Sequence, residues 1–425
     1  MTQELQNAYI SILREELVPA TGCTEPIALA YAAARLRELL GAPPERIQAD
    51  ISGNIIKNVK SVVVPNTGGK KGIAAAIAAG IVAGDAGKVL QVIAQVPEEL
   101  HAAIGEYQEK TPIAIACSHT TRLLDIVLTG FAGEHRALVQ IANSHSNIVR
   151  EERDGEVLLE KPFSDSPEDN LTDKSVLTVA DILEFANTVD LSLVEDLLEE
   201  QLTCNLAIAQ EGLKSNWGAN VGSVILEDSP EDWKSDAKAW AAAGSDARMS
   251  GCEMPVVILS GSGNQGITAS VPVARYAHHL GADREKLYRA LLISDLITVE
   301  QKSGIGRLSA YCGAVSAGVG AGAGIAYLLD GSLTAIAHTI VNAVAILSGT
   351  ICDGAKPSCA AKIAASVDAG ILGYQMYHHH QQFRGGEGIV TKGVDATIRN
   401  VGILAKEGMR QTDETILDIM THRCD

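Results

Sequence analysis

Residues 349–359 read GTICDGAKPSC and stand between two long apolar runs. Residues 333–347 have the spacing of a buried helix, and 360–372 resume it. Between them Gly354 and Pro357 break the backbone. Such a corner can aim two thiols at one point: Cys352 at the end of the first helix, and Cys359 in the first turn of the second. Cys312 lies upstream in RLSAYCGAVSAG, which the pattern places inside a helix over 308–329. An antiparallel return would bring the end of the next helix beside it. The reading is therefore a helical domain whose centre gathers three cysteines.

Working outward, helical spacing also marks 179–187, 191–210, 232–243, 283–303, 394–406 and 413–421. The N-terminal part differs. Helical segments at 3–17, 26–40, 71–83 and 98–110 are interleaved with short β-rich runs at 47–52, 60–64, 112–117, 124–129 and 137–142. Residues 151–173, EERDGEVLLEKPFSDSPEDNLTD, are acidic and read as a hairpin followed by a linker. The expected fold is α+β: an N-terminal mixed α/β domain over 1–172, then a mostly helical catalytic domain over 173–425.

Composition narrows the function. Hydrophobic residues are 46 % of the 425, enough for packed cores, while aromatics are only 4 % and glycines number 40. Small side chains at that density favour closely packed helices. The net charge is −18, with no basic run, which argues against nucleic acid and anionic membrane as partners. The uncharged runs 308–329 and 331–351 are long enough to span a bilayer. They carry many small polar residues and no flanking basic cluster, so they read as buried helices. No secretory signal is visible, so a cytoplasmic location is expected. In that setting eight cysteines are packed thiols, ligands or catalytic groups more readily than disulfides.

Spacing alone leaves the cysteines open. The six residues between Cys352 and Cys359 match no familiar ferredoxin or zinc pattern, and cysteine also serves as a small buried hydrophobe. Cys23 stands in ATGCTEP, where Thr24 can cap a helix and Pro26 fits its first turn. A thiol there is either activated by the helix dipole or packed under the cap. Two Gly-rich turns, VVVPNTGGKKG (62–72) and SGSGNQGITAS (260–270), can offer backbone N–H groups to an anion, or can be plain bends. GSGNQG at 261–266 formally fits a dinucleotide fingerprint, but lies amid helices with no βαβ unit around it. His119 and His145 fall at strand ends, and His378–His380 read as surface. Cys117, Cys204 and Cys252 read as structural thiols, and Cys424 as a frayed tail residue or a cap for an open metal corner.

These pieces together resemble the L-cysteine desulfidase family, relatives of the iron–sulfur L-serine dehydratases. The resemblance is carried by GCTEP (22–26), VPNTG (64–68), HSNIV (145–149), CNLAIAQEGL (204–213), SDARM (245–249), SGSGNQGITA (260–269), RLSAYC (307–312), ICDGAKPSC (351–359) and GEGIV (386–390). It spans nearly the whole chain. It implies a 4Fe–4S cluster on Cys312, Cys352 and Cys359, and Cys23 as the proton acceptor. The implied reaction is a lyase reaction without pyridoxal phosphate: β-elimination of L-cysteine to hydrogen sulfide, pyruvate and ammonia. The substrate contacts expected are Asn66, Thr67 and Gly68 from the first turn, His145, and Ser262, Asn264 and Gln265 from the second. L-serine dehydration by the same class of site, and a non-enzymatic redox or iron sensor using the cluster, are the alternatives. The partner expected is a small amino acid, with self-association into a homo-oligomer left open.

Overall fold

The computed structural model describes residues 1–21, 24–118, 120, 122, 124–162, 171–306 and 309–422. The chain opens with α1 (Gln3–Glu16), capped by the Thr2 hydroxyl, and β1 (Val18–Thr21). A mixed unit follows: α2 (Thr24–Leu40), β2 (Arg46–Ser52), α3 (Gly53–Val59), α4 (Gly72–Ala83), α5 (Leu100–Lys110), β3 (Ile113–Ser118), β4 (Asp125–Ala132), β5 (His135–Ala142), β6 (Ile148–Arg153) and β7 (Glu156–Glu160).

The strands of this unit form a six-stranded sheet in the order β3-β2-β4-β5-β6-β7. Only β2 and β3 run parallel; α3, α4 and α5 make the crossover between them. The other pairs are antiparallel. In β2, Ile47, Ala49 and Ile51 alternate inward, so one face of the sheet is apolar. Helix α2 covers that face and shares its core with Ile77, Leu128, Val139 and Ile141. The hairpin expected after residue 150 is β6–β7, turning at Asp154 and Gly155, both at positive φ.

The rest is helical apart from β8 (Pro255–Ile258): α6 (Val179–Thr188), α7 (Glu195–Lys214), α8 (Val221–Asp228), α9 (Trp233–Met249), α10 (Gly263–Leu280), α11 (Arg284–Ile305), α12 (Gly313–Leu329), α13 (Leu333–Leu347), α14 (Cys359–His378), α15 (Val394–Ile403) and α16 (Arg410–His422). The fold is thus mixed α/β, with an N-terminal sheet region and a mostly helical C-terminal part, as the patterning predicts. Helices α12 and α13 are the two uncharged runs. Helix α12 is buried along nearly its whole length. Among the described residues no helix is long and apolar enough to cross a membrane.

The two ends of the chain cross between the regions. Tyr9, Ile12 and Leu13 of α1 pack into the helical core, with the Tyr9 ring 5.1 Å from Phe185. Strand β1 pairs with β8. Helix α16 returns to α3, where Leu417 packs on Gly53. These crossings clamp the sheet unit and the helical body together. The linker expected within 151–173 falls partly on 163–170, outside the described residues.

Small residues set the closest helix packing. A Cβ on Gly370 of α14 would lie 2.3 Å from the Gly318 carbonyl oxygen of α12, and one on Gly322 would lie 2.6 Å from the Gly370 Cα. Only hydrogen at these positions lets the two backbones meet, and their seam fixes the spacing of the helices that carry Cys312 and Cys359.

Candidate functional site

Cys312 is the N-cap of α12, in extended backbone, rather than a residue inside that helix. Its N–H donates to the Thr350 carbonyl at 3.1 Å, and the Cys352 N–H donates to the Ala310 carbonyl at 2.6 Å. The two segments meet as an antiparallel bridge centred on Tyr311 and Ile351. Helix α13 already ends at Leu347, so Cys352 lies in the loop beyond it. The expected convergence of Cys312 and Cys352 is present, made by extended backbone and not by helix ends. Cys359 opens α14, as the corner pattern predicts.

The loop from Cys352 to Cys359 is pinned by charge. Asp353 pairs with Lys356 and with Lys362, the latter at 2.5 Å, and Lys362 also donates to the Ile351 carbonyl. These hydrogen bonds and cations hold the Asp353 carboxyl below its ordinary range, against the effect of burial. The Cys359 thiol faces the Gly354 carbonyl at 3.7 Å.

All three sulfur-bearing residues line one cavity of ≈ 110 Å³ at the junction of the sheet unit and the helical body. Its other walls come from far apart in sequence. Glu25 comes from the first turn of α2, Lys57 and Asn58 from α3, Arg248 from the end of α9, Lys302 from α11 and Tyr311 from the bridge. Gly261, Ser262, Asn264 and Gln265 enter from the turn into α10. That turn follows β8 sharply, with Ser260 and Gly261 both at positive φ.

Polar groups inside this cavity are unevenly satisfied. Lys57, 3 % exposed, pairs with Asp413 at 2.5 Å. Arg248 donates to the Asn264 side chain at 3.2 Å, and Asn58 donates to Glu25 at 3.2 Å. Lys302 is 5 % exposed and makes no hydrogen bond or ion pair with any described residue. Burial pulls its ammonium down to about 8, opposed by the Cys352 and Cys312 thiols nearby. The Gln265 Oε1 and the Tyr311 hydroxyl are likewise buried without a hydrogen-bond partner among the described residues.

Burial raises the Cys312 and Cys359 thiols, and each is raised further by the charge of its cysteine neighbours. Three soft donors that repel one another as thiolates are a donor set on which a cationic guest would reverse that effect. Among the described residues no three His, Cys, Asp or Glu side chains surround a single-ion position. A polynuclear iron–sulfur cluster differs in that each thiolate takes its own iron, so its ligands stand further apart than those of one ion. Donor type and shared cavity fit such a group.

The remaining expected contacts lie elsewhere. Asn66 and Thr67 are spent on their own turn: Asn66 donates to the Ile93 and Ala94 carbonyls, and Thr67 to the Val64 carbonyl. Gly68 is beside His101. None of the three lines the cavity, although Val62, at the base of that turn, packs with Met249 against Ala355 and Cys359. His145 sits half-buried between β5 and β6, also off the cavity wall. Cys23, His119 and Cys424 lie outside the described residues. Cys117, Cys204 and Cys252 are free thiols raised by burial, consistent with packing roles.

Sequence reasoning missed Glu25, Lys57, Arg248, Lys302 and Tyr311. Three of them sit inside quoted motifs: Glu25 in GCTEP, Arg248 in SDARM and Tyr311 in RLSAYC. Lys57 and Lys302 carry no local signal.

Residues 87–418 match the family described as serine dehydratase alpha chain. A UPF0597 protein of Desulfitobacterium hafniense is 55 % identical over 416 residues, covering 98 % of this chain and 97 % of the relative. A UPF0597 protein of Lachnoclostridium phytofermentans is 50 % identical over 418 residues, covering 97 % and 98 %. One of Finegoldia magna is 47 % identical over 417 residues, covering 98 % and 99 %. With a family match across most of its length and relatives aligned nearly end to end, this chain belongs to the serine dehydratase alpha chain family.

Proposed function

We propose that this chain is an iron–sulfur lyase that eliminates hydrogen sulfide from L-cysteine. The observation that carries the reading is one cavity lined by Cys312, Cys352 and Cys359 together with the cations Lys57, Arg248 and Lys302. Those three cysteines would hold a 4Fe–4S cluster. When bound, it would supply a Lewis-acidic iron corner, because three cysteines leave one iron without a protein ligand.

The protein's own groups do the rest. Lys57 is paired with Asp413, and Arg248 and Lys302 bring two further basic groups to the wall beside Glu25, which suits a guest that carries a carboxylate. Ser262 and Asn264 line the same wall and would meet charge that develops on that carboxylate as the Cα proton leaves. Cys23, as thiolate, takes the proton; it stands two residues before Glu25. The Cβ–S bond breaks and sulfur departs as hydrosulfide, leaving 2-aminoacrylate. Tautomerisation to the imine and addition of water then give pyruvate and ammonia.

A second reading, dehydration of L-serine, is favoured by the serine dehydratase alpha chain match. The chemistry is the same, with hydroxide in place of hydrosulfide. One experiment separates them: anaerobic reconstitution with iron and sulfide, then pyruvate release from L-cysteine and L-serine in parallel. The expected result is iron–sulfur charge-transfer absorbance and faster turnover of cysteine. Absence of iron after reconstitution, or of pyruvate from both substrates, sinks the lyase reading. A Cys23→Ser protein that keeps its cluster spectrum and full activity sinks the base assignment.

A further inference from the structure

The cavity holds two complementary groups that no described residue hydrogen-bonds. Lys302 is a cation on α11, 5 % exposed, with no hydrogen bond or ion pair to any described residue. Gln265 on α10 is also 5 % exposed, and its Oε1 has no donor. The other charged groups of the same wall are engaged: Lys57 with Asp413, Arg248 with Asn264, and Glu25 with Asn58. A buried ammonium and a buried carbonyl without hydrogen-bond partners each carry a desolvation cost that a ligand can offset.

We propose that Lys302 and Gln265 form a clamp for the zwitterion of an α-amino acid, Lys302 taking the α-carboxylate and Gln265 Oε1 the α-ammonium. The clamp rests on the lyase reading above and deepens it. It makes the substrate class any α-amino acid small enough for the cavity, with the leaving group selected elsewhere. Gln265 reaches the start of α12: a Cβ on Gly313, the first residue of that helix, would lie 2.7 Å from the Gln265 amide carbon, so a side chain there would displace the amide. Cys312 is the neighbouring residue, so the clamp and the thiol are positioned by the same turn.

The test uses probes with no leaving group, titrated into the reconstituted protein by calorimetry: L-alanine, L-alaninamide (no carboxylate) and propionate (no ammonium). Iron content and cluster absorbance are measured on every sample. Lys302→Met should weaken L-alanine and propionate by roughly thirtyfold or more and leave alaninamide unchanged, since removing one side of a buried charge pair costs at least that much. Lys302→Arg should recover part of the loss. Gln265→Leu should weaken L-alanine and alaninamide and leave propionate unchanged.

Wild-type affinity for L-alanine in Lys302→Met overturns the clamp. So does a loss of binding that tracks a loss of iron, which would assign Lys302 to the thiolates. No L-alanine binding by the wild type overturns it as well. Lys302-dependent L-alanine binding by a protein that releases pyruvate from neither cysteine nor serine would keep the clamp and reject the lyase. Turnover that survives Lys302→Met with unchanged KM would keep the lyase and reject the clamp.

Discussion

Gly354, in the loop between Cys352 and Cys359, presses against the backbone of Lys57 on α3: a Cβ there would lie 2.1 Å from the Lys57 carbonyl oxygen. Its φ is +91°, a value that side chains disfavour. The contact joins the thiol loop of the helical body to the sheet unit. Gly354→Ala must therefore move one or the other, at a backbone cost of about 1–3 kcal/mol before the clash is counted. The expected outcome is a folded protein that takes up much less iron on anaerobic reconstitution. Full iron content with an unchanged spectrum would show that the loop does not need this contact.

The α12–α14 seam should matter for the same reason at longer range. Cys312 caps α12 and Cys359 opens α14, so the separation of these helices sets the separation of their thiols. Gly322→Ala puts a methyl 2.6 Å from the Gly370 Cα. Overpacking of this kind costs typically about 1–3 kcal/mol. The variant should unfold at lower urea, and after reconstitution should lose iron to a chelator faster than the wild type. A lower urea midpoint with wild-type iron release would confine the effect to stability.

Much of this arrangement was readable from residues, and the parts that were not share a cause. Breakers at Gly354 and Pro357, with apolar periodicity on both sides, located the corner and its cysteines. The acidic change of composition over 151–173 marked the hairpin, which turns at Asp154 and Gly155. Cys312 was assigned to a helix because RLSAYCGA has no local break. The bridge to Ile351, a contact made by residues distant in sequence, overrides that propensity. Lys302 lies in VEQKSG at a helix end, where a lysine reads as a solvated, dipole-compensating residue. Its burial comes from tertiary assembly of α11 with elements distant in sequence, the thiol loop among them. The Asn66–Gly68 turn reads as an anion cradle of backbone N–H groups, but the fold sets it off the cavity wall and ties the Asn66 side chain to the Ile93 and Ala94 carbonyls.

Lys57 tests how the C-terminal helix supports the cavity. Its ammonium is buried and its one ion-pair partner among the described residues is Asp413 of α16, with the Ser309 carbonyl at 3.5 Å as a weak second contact. Asp413→Asn keeps the shape and removes the charge. Asp413 is itself partly exposed, so the loss should be about 1–3 kcal/mol, below that of a fully buried pair. Hydrogen exchange should then speed up along α16 and α3 more than elsewhere. Uniform exchange across the chain would show that α16 is held by Leu417 packing instead.

Asp295 gives a prediction in pH. It is fully buried on α11, accepts one hydrogen bond from Gln201 at 2.9 Å, and has no partner on its second oxygen. Burial pushes its carboxyl from 3.8 up to about 7. Because the folded value is raised, the stability of the protonated form is complete below pH 3.8, erodes as pH rises, and is lost above about 7. Asp295→Asn keeps the acceptor for Gln201 and cannot ionise. At pH 8 it should be more stable than the wild type by on the order of 3 kcal/mol. That advantage should shrink as the pH is lowered from 7 to 5, and should stay level between pH 8 and 9. Urea unfolding of both proteins across pH 5–9 checks this; a difference that does not change with pH would mean that Asp295 is ionised in the folded protein throughout that range.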